Sequence, residues 1–323
     1  MTAEEIAPGL FRIDTPLGAR FASLYLVRGD REAVLFDTGI DGTIPAFVVP
    51  ELGAMGLDPA HVRTVVVSHC DVDHFGGVQD ARETFPGARI LAHAADRPAI
   101  EDYGIFLAER GQGFLRDYGW DEDSAVLNWA RNVTRSGTLD GNAEDGMSID
   151  LGGREVRILH VPGHTHGHTA IFVPDADAIL VSDAVLGRSV NLADGTPAFP
   201  PTYRYVNEYL STIDSLVALK AKLLLTAHYP TFESDEAEAF LSESRQFVLE
   251  LDQLVLDALQ SNPDGLTLHE LLELVNPVAG QWPVDGTAGA LAYPVVGHLE
   301  RMCDSGSAGS AGLRDGKSVW KLR

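Results

Sequence analysis

Four potential metal ligands lie close together in the segment SHCDVDHFGG at 68–77. His69, Asp71, Asp73 and His74 stand at the end of VRTVVVSH (62–69), an apolar β-branched run typical of a strand buried on both faces. Imidazole and carboxylate groups are preferred ligands of zinc and iron, and a buried carboxylate is costly unless a cation neutralises it. The cluster therefore predicts a metal site at the end of this strand.

Three further polar residues follow other apolar runs. His164 lies in PGHTHGHT after VRILHV, Asp183 ends AILVSD, and His228 ends KLLLTAH. Side chains at the carboxyl ends of neighbouring strands can meet at one edge of a sheet, so we expect all seven residues to converge there.

The elements that must position these residues are mainly strands in both halves, with helices between them and towards the end. We predict a layered α/β sandwich over residues 1–232, with an acidic, aromatic helical insertion at about 95–140. A long acidic amphipathic helix at 233–261 would link the sandwich to a winged-helix-like module at 262–323. Within that module, Thr267 and Glu270 have the spacing of a capping box and predict the start of a helix.

On the basis of these His and Asp motifs, the sequence resembles the metallo-β-lactamase superfamily over about residues 6–232. That family's first motif is His-x-His-x-Asp-His, followed by a distant His, a bridging Asp and a last His, and FDTG at 36–39 matches its early strand-turn. The tail resembles the winged-helix appendage of a subgroup with glyoxalase II-like and endoribonuclease-like members. The matching ligand positions are His69, Asp71, Asp73, His74, His164, Asp183 and His228.

The resemblance implies an α+β fold, a four-layer αββα sandwich that holds two divalent metal ions at one edge. Zinc is the favoured metal, with iron or manganese as alternatives. The first ion would be bound by His69, Asp71 and His164, and the second by Asp73, His74 and His228, with Asp183 as the bridge. A hydroxide between the ions would be the nucleophile, and Asp73 and Asp183 are the ligands assigned a catalytic role.

Asp71 departs from the motif, because the family has a His there. An anionic ligand favours iron or manganese and weakens Lewis acidity. A carboxylate at this place is similar to the di-iron branch of the superfamily, which uses Glu. The sequence therefore favours hydrolysis of a small ester, thioester or lactone, with a non-haem di-iron oxidoreductase or oxygen-binding protein as the main alternative. A metal-bearing non-enzyme that uses the C-terminal module, a nuclease and a β-lactamase are further alternatives.

Other residues are expected to support the site. Asp37 and His168 would orient the ligands rather than bind metal. Contacts with the substrate are expected from a loop after Asp183 and from the residue after His228, namely Tyr203, Arg204, Tyr205 and Tyr229.

The composition limits the classes of binding partner that we expect. The 323 residues carry a formal charge of −23, which repels nucleic-acid phosphates and anionic lipids. The two cysteines are far apart, and the acidic N-terminal segment lacks the features of a secretory signal. We expect a cytoplasmic enzyme with a small-molecule substrate and no nucleic-acid or membrane partner, and a homodimer remains open.

Overall fold

The computed structural model describes residues 3–282 and 288–323. Residues 1, 2 and 283–287 belong to the expected domain ranges but lie outside the described residues. Two large sheets form the centre. The first has seven strands in chain order: β1 (Glu4–Ala7), β2 (Leu10–Leu17), β3 (Arg20–Arg28), β4 (Ala33–Phe36), β5 (Val62–Val66), β6 (Arg89–Ala92) and β7 (Gly141–Asn142). In this sheet β3 is antiparallel to β2 and to β4, whereas β4 to β7 are parallel to one another.

Eight further strands follow in the chain: β8 (Ser148–Asp150), β9 (Glu155–His160), β10 (Thr169–Val173), β11 (Ala178–Ser182), β12 (Val190–Asn191), β13 (Pro197–Phe199), β14 (Leu223–Thr226) and β15 (Phe232–Glu233). Six of them form the second sheet in the order β15-β14-β11-β10-β9-β8, in which β11 and β14 are parallel. The two short strands β12 and β13 pair with each other.

Helices cover the outer faces of both sheets. Over the first sheet and along its edge lie α1 (Val49–Ala54), α2 (Val72–Phe75), α3 (Val78–Thr84), α4 (Arg97–Glu101), α5 (Tyr103–Phe106) and α7 (Ser124–Asn132), with π-helical turns at Ile44–Val48 and Leu107–Gly111 and a 3₁₀ turn at Pro59–His61. The short helix α6 (Leu115–Tyr118) instead packs against residues 317–322. The expected insertion at 95–140 thus consists of short helices. Over the second sheet lie α8 (Val206–Leu219) and the 27-residue α9 (Asp235–Ser261).

The alternation of side chains along the strands produces three buried layers. In β5, Val66 packs between the sheets against residues such as Leu180 and Leu225, whereas Val65 and the following Val67 face the helices. The outer face of the second sheet packs against α8, α9 and the C-terminal segment. The structure therefore has the α+β, αββα layering that the sequence predicts.

The C-terminal segment contains α10 (Leu268–Ala279), α11 (Ala292–Asp304) and a three-stranded antiparallel sheet of β16 (Leu266–Thr267), β17 (Ala308–Arg314) and β18 (Lys317–Leu322), with a 3₁₀ turn at Ala288–Leu291. The capping box of Thr267 and Glu270 is present at the start of α10. A winged helix for this segment stays a prediction. Among the described residues, no helix is both long and apolar enough to cross a bilayer.

A buried polar chain connects the C-terminal segment to the rest of the protein. The hydroxyl of Tyr203 lies 3.0 Å from Nε2 of His298, and Nδ1 of His298 lies 2.7 Å from the carboxylate of Asp252. Tyr203 and His298 have no exposed surface. Burial keeps the pKa of His298 below its ordinary value. Tyr203 therefore ties two parts of the chain together and does not line the cavity described below, which corrects its expected substrate role.

Replacing Tyr203 by Phe tests this connection. The change leaves a buried imidazole nitrogen without its partner, so the free energy of unfolding should fall by about 1–3 kcal/mol. Urea denaturation followed by circular dichroism measures the change. Tyr205→Phe is the matched control, because no hydrogen bond of its hydroxyl is found among the described residues, and it should change stability by less than about 0.5 kcal/mol. Equal stability of both variants would contradict the assigned role of Tyr203.

Candidate metal centre

The ligand side chains and the supporting residue Asp37 converge because each follows a strand of one of the two facing sheets. Asp37 follows β4 and His69 follows β5 in the first sheet, while Asp183 follows β11 and His228 follows β14 in the second. Both strand pairs are parallel, so their carboxyl ends point the same way. His164 lies in the loop between β9 and β10.

Two groups of three potential ligands meet at this edge, with the ligand atoms of each group within 4.8 Å of one another. The first group is His69, His164 and Asp183, and the second is Asp73, His74 and His228. Asp183 also reaches the second group, because its Oδ2 lies 3.5 Å from His74 Nε2 and 3.3 Å from His228 Nε2. Asp183 thus lies between the two groups, where a bridging ligand would have to be.

The polar atoms at the centre fit a cation. Nε2 of His69, Nε2 of His74 and Oδ1 of Asp183 are buried and have no hydrogen-bond partner among the described residues. Buried polar atoms are rarely left without a partner, and a metal ion would satisfy all three. Burial tends to raise the pKa of Asp183, but the imidazoles of His228 and His74 hold that pKa well below its usual range. The carboxylate is therefore ionised and suited to metal binding.

Three of the ligand imidazoles are held through Nδ1, so that Nε2 is left to face the centre. The Nδ1 atom of His69 lies 2.8 Å from Ser68 Oγ, and that of His228 lies 2.8 Å from the carbonyl oxygen of Phe21. His164 has a longer contact of 3.4 Å from Nδ1 to Thr202 Oγ1.

Asp37 orients the fourth imidazole, that of His74. Its Oδ2 lies 2.9 Å from His74 Nδ1 and accepts a hydrogen bond from Ser182 Oγ at 2.9 Å, while its Oδ1 accepts one from the backbone N–H of Ser68 at 2.7 Å. Burial tends to lower the pKa of His74, but the carboxylates of Asp183, Asp73 and Asp37 raise it well above its ordinary value. Through its hydrogen bond to Nδ1, Asp37 therefore directs the ring of His74 so that Nε2 faces the centre.

His168 supports the site by packing. Its ring stacks on that of His69 with 4.5 Å between the ring centroids, and neither of its nitrogens has a hydrogen-bond partner among the described residues. Burial keeps its pKa well below the ordinary value, so the ring is neutral. His168 therefore limits the movement of His69 without binding it through a hydrogen bond.

Asp71 is engaged by an arginine that the sequence analysis did not single out. Arg110, in the π-helical turn of the insertion, donates to Asp71 Oδ1 from Nε at 2.9 Å and from Nη2 at 2.6 Å, and to Oδ2 from Nη2 at 2.7 Å. Asp71 Oδ2 also lies 2.9 Å from His164 Nε2 and 3.6 Å from His69 Nε2. Asp71 is thus close to the first group, but its carboxylate is shared with a guanidinium.

Asp96 is a second residue that the sequence analysis missed. This buried carboxylate accepts hydrogen bonds from Cys70 N–H at 3.1 Å, Thr165 Oγ1 at 2.6 Å and Gly167 N–H at 2.8 Å. It therefore ties the loop that carries His69 to the loop that carries His164. No local motif marks either Asp96 or Arg110, and only the position of an arginine in an acidic, aromatic insertion hints at the latter.

The remaining expected substrate contacts have other partners in the structure, and their contact with a substrate stays a prediction. Arg204 pairs with Glu300 at 2.7 Å. Tyr205 stacks on the ring of His166. The Tyr229 hydroxyl donates to the carbonyl oxygens of Leu186 and Ser189. None of these side chains lines the cavity above the ligands, because they pack against other parts of the chain.

That cavity, of about 460 Å³, opens directly over the ligands Asp71, Asp73, Asp183 and His228. One wall comes from the insertion and the opposite wall from the β12–β13 region, and both are mostly apolar. The main lining residues are Phe106, Val126, Leu127, Trp129, Val190 and Phe199. A substrate group placed over the ligands would therefore have much of its remaining surface against hydrocarbon, although the lining also includes the charged side chains of Arg20, Arg110 and Glu122.

Comparison with known proteins agrees with this geometry. Residues 17–228 match the family model described as the metallo-beta-lactamase superfamily. The chain is similar to acyl-coenzyme A thioesterase MBLAC2 of Bos taurus, with 27% identity over 66% of this chain and 75% of that protein. It is also similar to the probable metallo-hydrolase YqjP of Bacillus subtilis, with 26% identity over 58% of this chain and 60% of that protein.

Solved structures share the fold across almost the whole chain. A metallo-beta-lactamase family protein from Thermus thermophilus has a TM-score of 0.73 at 21% identity, covering 98% of this chain and 100% of that one. A beta-lactamase domain protein from Burkholderia ambifaria has a TM-score of 0.71 at 17% identity, covering 99% and 95%. The family match spans well over half of the chain, and it includes every ligand that converges on the cavity. The chain therefore belongs to the metallo-beta-lactamase superfamily, as a metal-dependent hydrolase.

Proposed function

We propose that the chain is a dinuclear-metal hydrolase of small esters, thioesters or lactones with an apolar acyl part. The observation that carries this proposal is the pair of adjacent three-ligand groups, with Asp183 between them, at the floor of an apolar cavity. Zinc is the favoured ion, because imidazole nitrogen and carboxylate oxygen suit it.

Each of the two metal ions would have its own set of ligands. His69, His164 and Asp71 would hold one ion, Asp73, His74 and His228 would hold the other, and Asp183 would be shared. Bound divalent cations supply Lewis acidity and lower the pKa of a water molecule to near neutrality.

The protein itself supplies orientation and desolvation. Asp73 and Asp183 both line the cavity, so their carboxylates can accept hydrogen bonds from a water molecule and direct it towards a substrate carbonyl. The apolar walls exclude other water and hold the acyl group in place. A thioester or ester fits these walls better than a phosphate ester would, because the lining of the cavity is largely hydrocarbon.

The similarity to acyl-coenzyme A thioesterase MBLAC2 supports the thioester as one member of the substrate class. At an identity of 25–27%, we infer the preferred acyl group and leaving group from the cavity of this chain and not from that relative.

Asp183→Ala tests the shared ligand. Removal of a carboxylate that serves two cations leaves like charges close together, so bound metal should fall from two ions per chain towards one or none. Activity should fall by at least about a hundredfold, since several kcal/mol of charge stabilisation is lost. Metal content is measured by inductively coupled plasma mass spectrometry after purification without added metal.

The matched control for this experiment is Asp264→Ala, which removes an exposed carboxylate from the C-terminal segment and should keep the metal content of the wild type. Retention of two ions by Asp183→Ala would show that Asp183 is not shared. Wild-type protein that contains iron, reacts with oxygen and hydrolyses no ester, thioester or lactone would favour the di-iron alternative and contradict hydrolysis.

The apolar walls predict a dependence on acyl length. Each methylene group buried in the cavity contributes about 0.8 kcal/mol, so kcat/KM should rise up to about fourfold per methylene until the cavity is filled. A series of straight-chain acyl thioesters from acetyl to decanoyl measures this. Leu127→Ala removes apolar surface from the cavity wall, so the rise in kcat/KM for the longer acyl chains should become smaller, while kcat/KM for the acetyl thioester should stay nearly unchanged.

Leu115→Ala is the control for that variant. Leu115 lies in the same insertion, is 42% exposed and does not line the cavity, so its loss should leave the length profile unchanged. Turnover that is constant or falls from acetyl upward in the wild type would show that the acyl group does not occupy this cavity.

A further inference from the structure

The pairing of Arg110 with Asp71 bears directly on the one position where the sequence departs from the family motif. Three hydrogen bonds join the guanidinium to the carboxylate, and the Arg110 side chain is only 10% exposed. Fork-shaped contacts of this kind are stronger and more specific in geometry than a single ion pair. The two side chains therefore act as one unit at the edge of the metal centre.

We propose that Arg110 is a positioning residue that compensates the charge of Asp71, so that the pair replaces the neutral imidazole of the family motif without changing the net charge of the metal centre. The three carboxylates of Asp71, Asp73 and Asp183 together with one guanidinium carry two net negative charges. Two carboxylates and an imidazole at position 71 would carry the same charge. This inference rests on the metal centre of the proposed function.

Charge compensation has consequences for both members of the pair. Arg110 contacts both oxygens of Asp71, and this weakens the carboxylate as a donor to a cation. If Asp71 became a neutral imidazole, the buried guanidinium would face two cations without its counter-ion, and that arrangement is unfavourable in a region with little water. Restoring the family motif at position 71 alone should therefore weaken metal binding.

The C-terminal segment holds Arg110 in place. The guanidinium carbon lies 4.7 Å from the centroid of the Tyr293 ring, a cation–π distance, and the Tyr293 hydroxyl donates to the carbonyl oxygen of Arg110 at 2.7 Å. Tyr293 belongs to α11 and also lines the cavity. Through Arg110, a residue 183 positions further along the sequence contributes to the properties of the first metal position.

A double-mutant cycle tests the proposal without substrate. Zinc stoichiometry and the affinity of the weaker ion are measured by competition with a chelator for wild type, Asp71→His, Arg110→Met and the double variant. Asp71→His should lose at least about tenfold in affinity, and Arg110→Met should gain at least about tenfold because the carboxylate is no longer shared. The double variant should return to within about threefold of the wild type, since the net charge is restored.

The sign of the Arg110→Met effect separates charge compensation from a merely structural role, because loss of packing would lower affinity. Arg204→Met is the matched control: Arg204 is a partly buried arginine that pairs with Glu300 and contacts no ligand, and its loss should leave zinc affinity unchanged. Tyr293→Ala should change affinity in the same direction as Arg110→Met, but less.

Wild-type affinity in Asp71→His, or lower affinity in Arg110→Met without recovery in the double variant, would overturn the proposal. Circular dichroism of the metal-free variants shows whether each is folded. If Arg110→Met fails to fold, Arg110→Gln provides the same charge change with a polar side chain. Because the measurement is of metal alone, a protein that follows the cycle but hydrolyses no substrate contradicts only the proposed function.

Discussion

The carboxylates of Asp183 and Asp73 lie among buried imidazoles at the edge of two packed sheets, and this arrangement is stable only if something positive lies between them. Asp183 Oδ2 is 3.3 Å from His228 Nε2, while Oδ1 has no hydrogen-bond partner among the described residues. Nearby protons can satisfy part of this requirement, since the carboxylates raise the pKa of His74 and of His228. Divalent cations would neutralise the carboxylates more completely. The neighbouring residues hold the imidazoles through Nδ1, so that their Nε2 atoms face the place where such cations would bind.

The two sheets tolerate this concentration of charge because it lies outside the apolar layers. Valine and leucine side chains fill the space between the sheets, and the polar residues begin where the strands end. Asp37 and Asp96 then connect loops from different strands, so that the ligands are held by hydrogen bonds as well as by the core. The rigidity of the sheets is thereby transmitted to side chains that lie in loops.

The insertion and the C-terminal segment form much of the surroundings of the metal centre. The insertion supplies an apolar wall and Arg110, and the C-terminal segment supplies Tyr293 against Arg110. Asp71 by itself favours iron and redox chemistry, because it adds a negative charge. Arg110 donates three hydrogen bonds to that carboxylate, and under the proposed charge compensation the pair favours hydrolysis as much as a neutral ligand would.

The apolar runs and the helices between them were enough to predict a layered α/β sandwich, because such patterns depend on local chemistry, and the αββα layering followed from the family resemblance that the His and Asp motifs carry. The sequence also predicted that His74, Asp73 and His228 lie together at strand ends, although these strands belong to the two facing sheets and not to one sheet. It could not predict the partner of Asp71, because Arg110 is brought to it by the packing of an irregular insertion. It likewise mistook Tyr203 for a substrate contact, since the direction of a long loop is set by the segment that it packs against. Contacts between distant segments are decided by tertiary packing, which leaves no periodic signal in the chain.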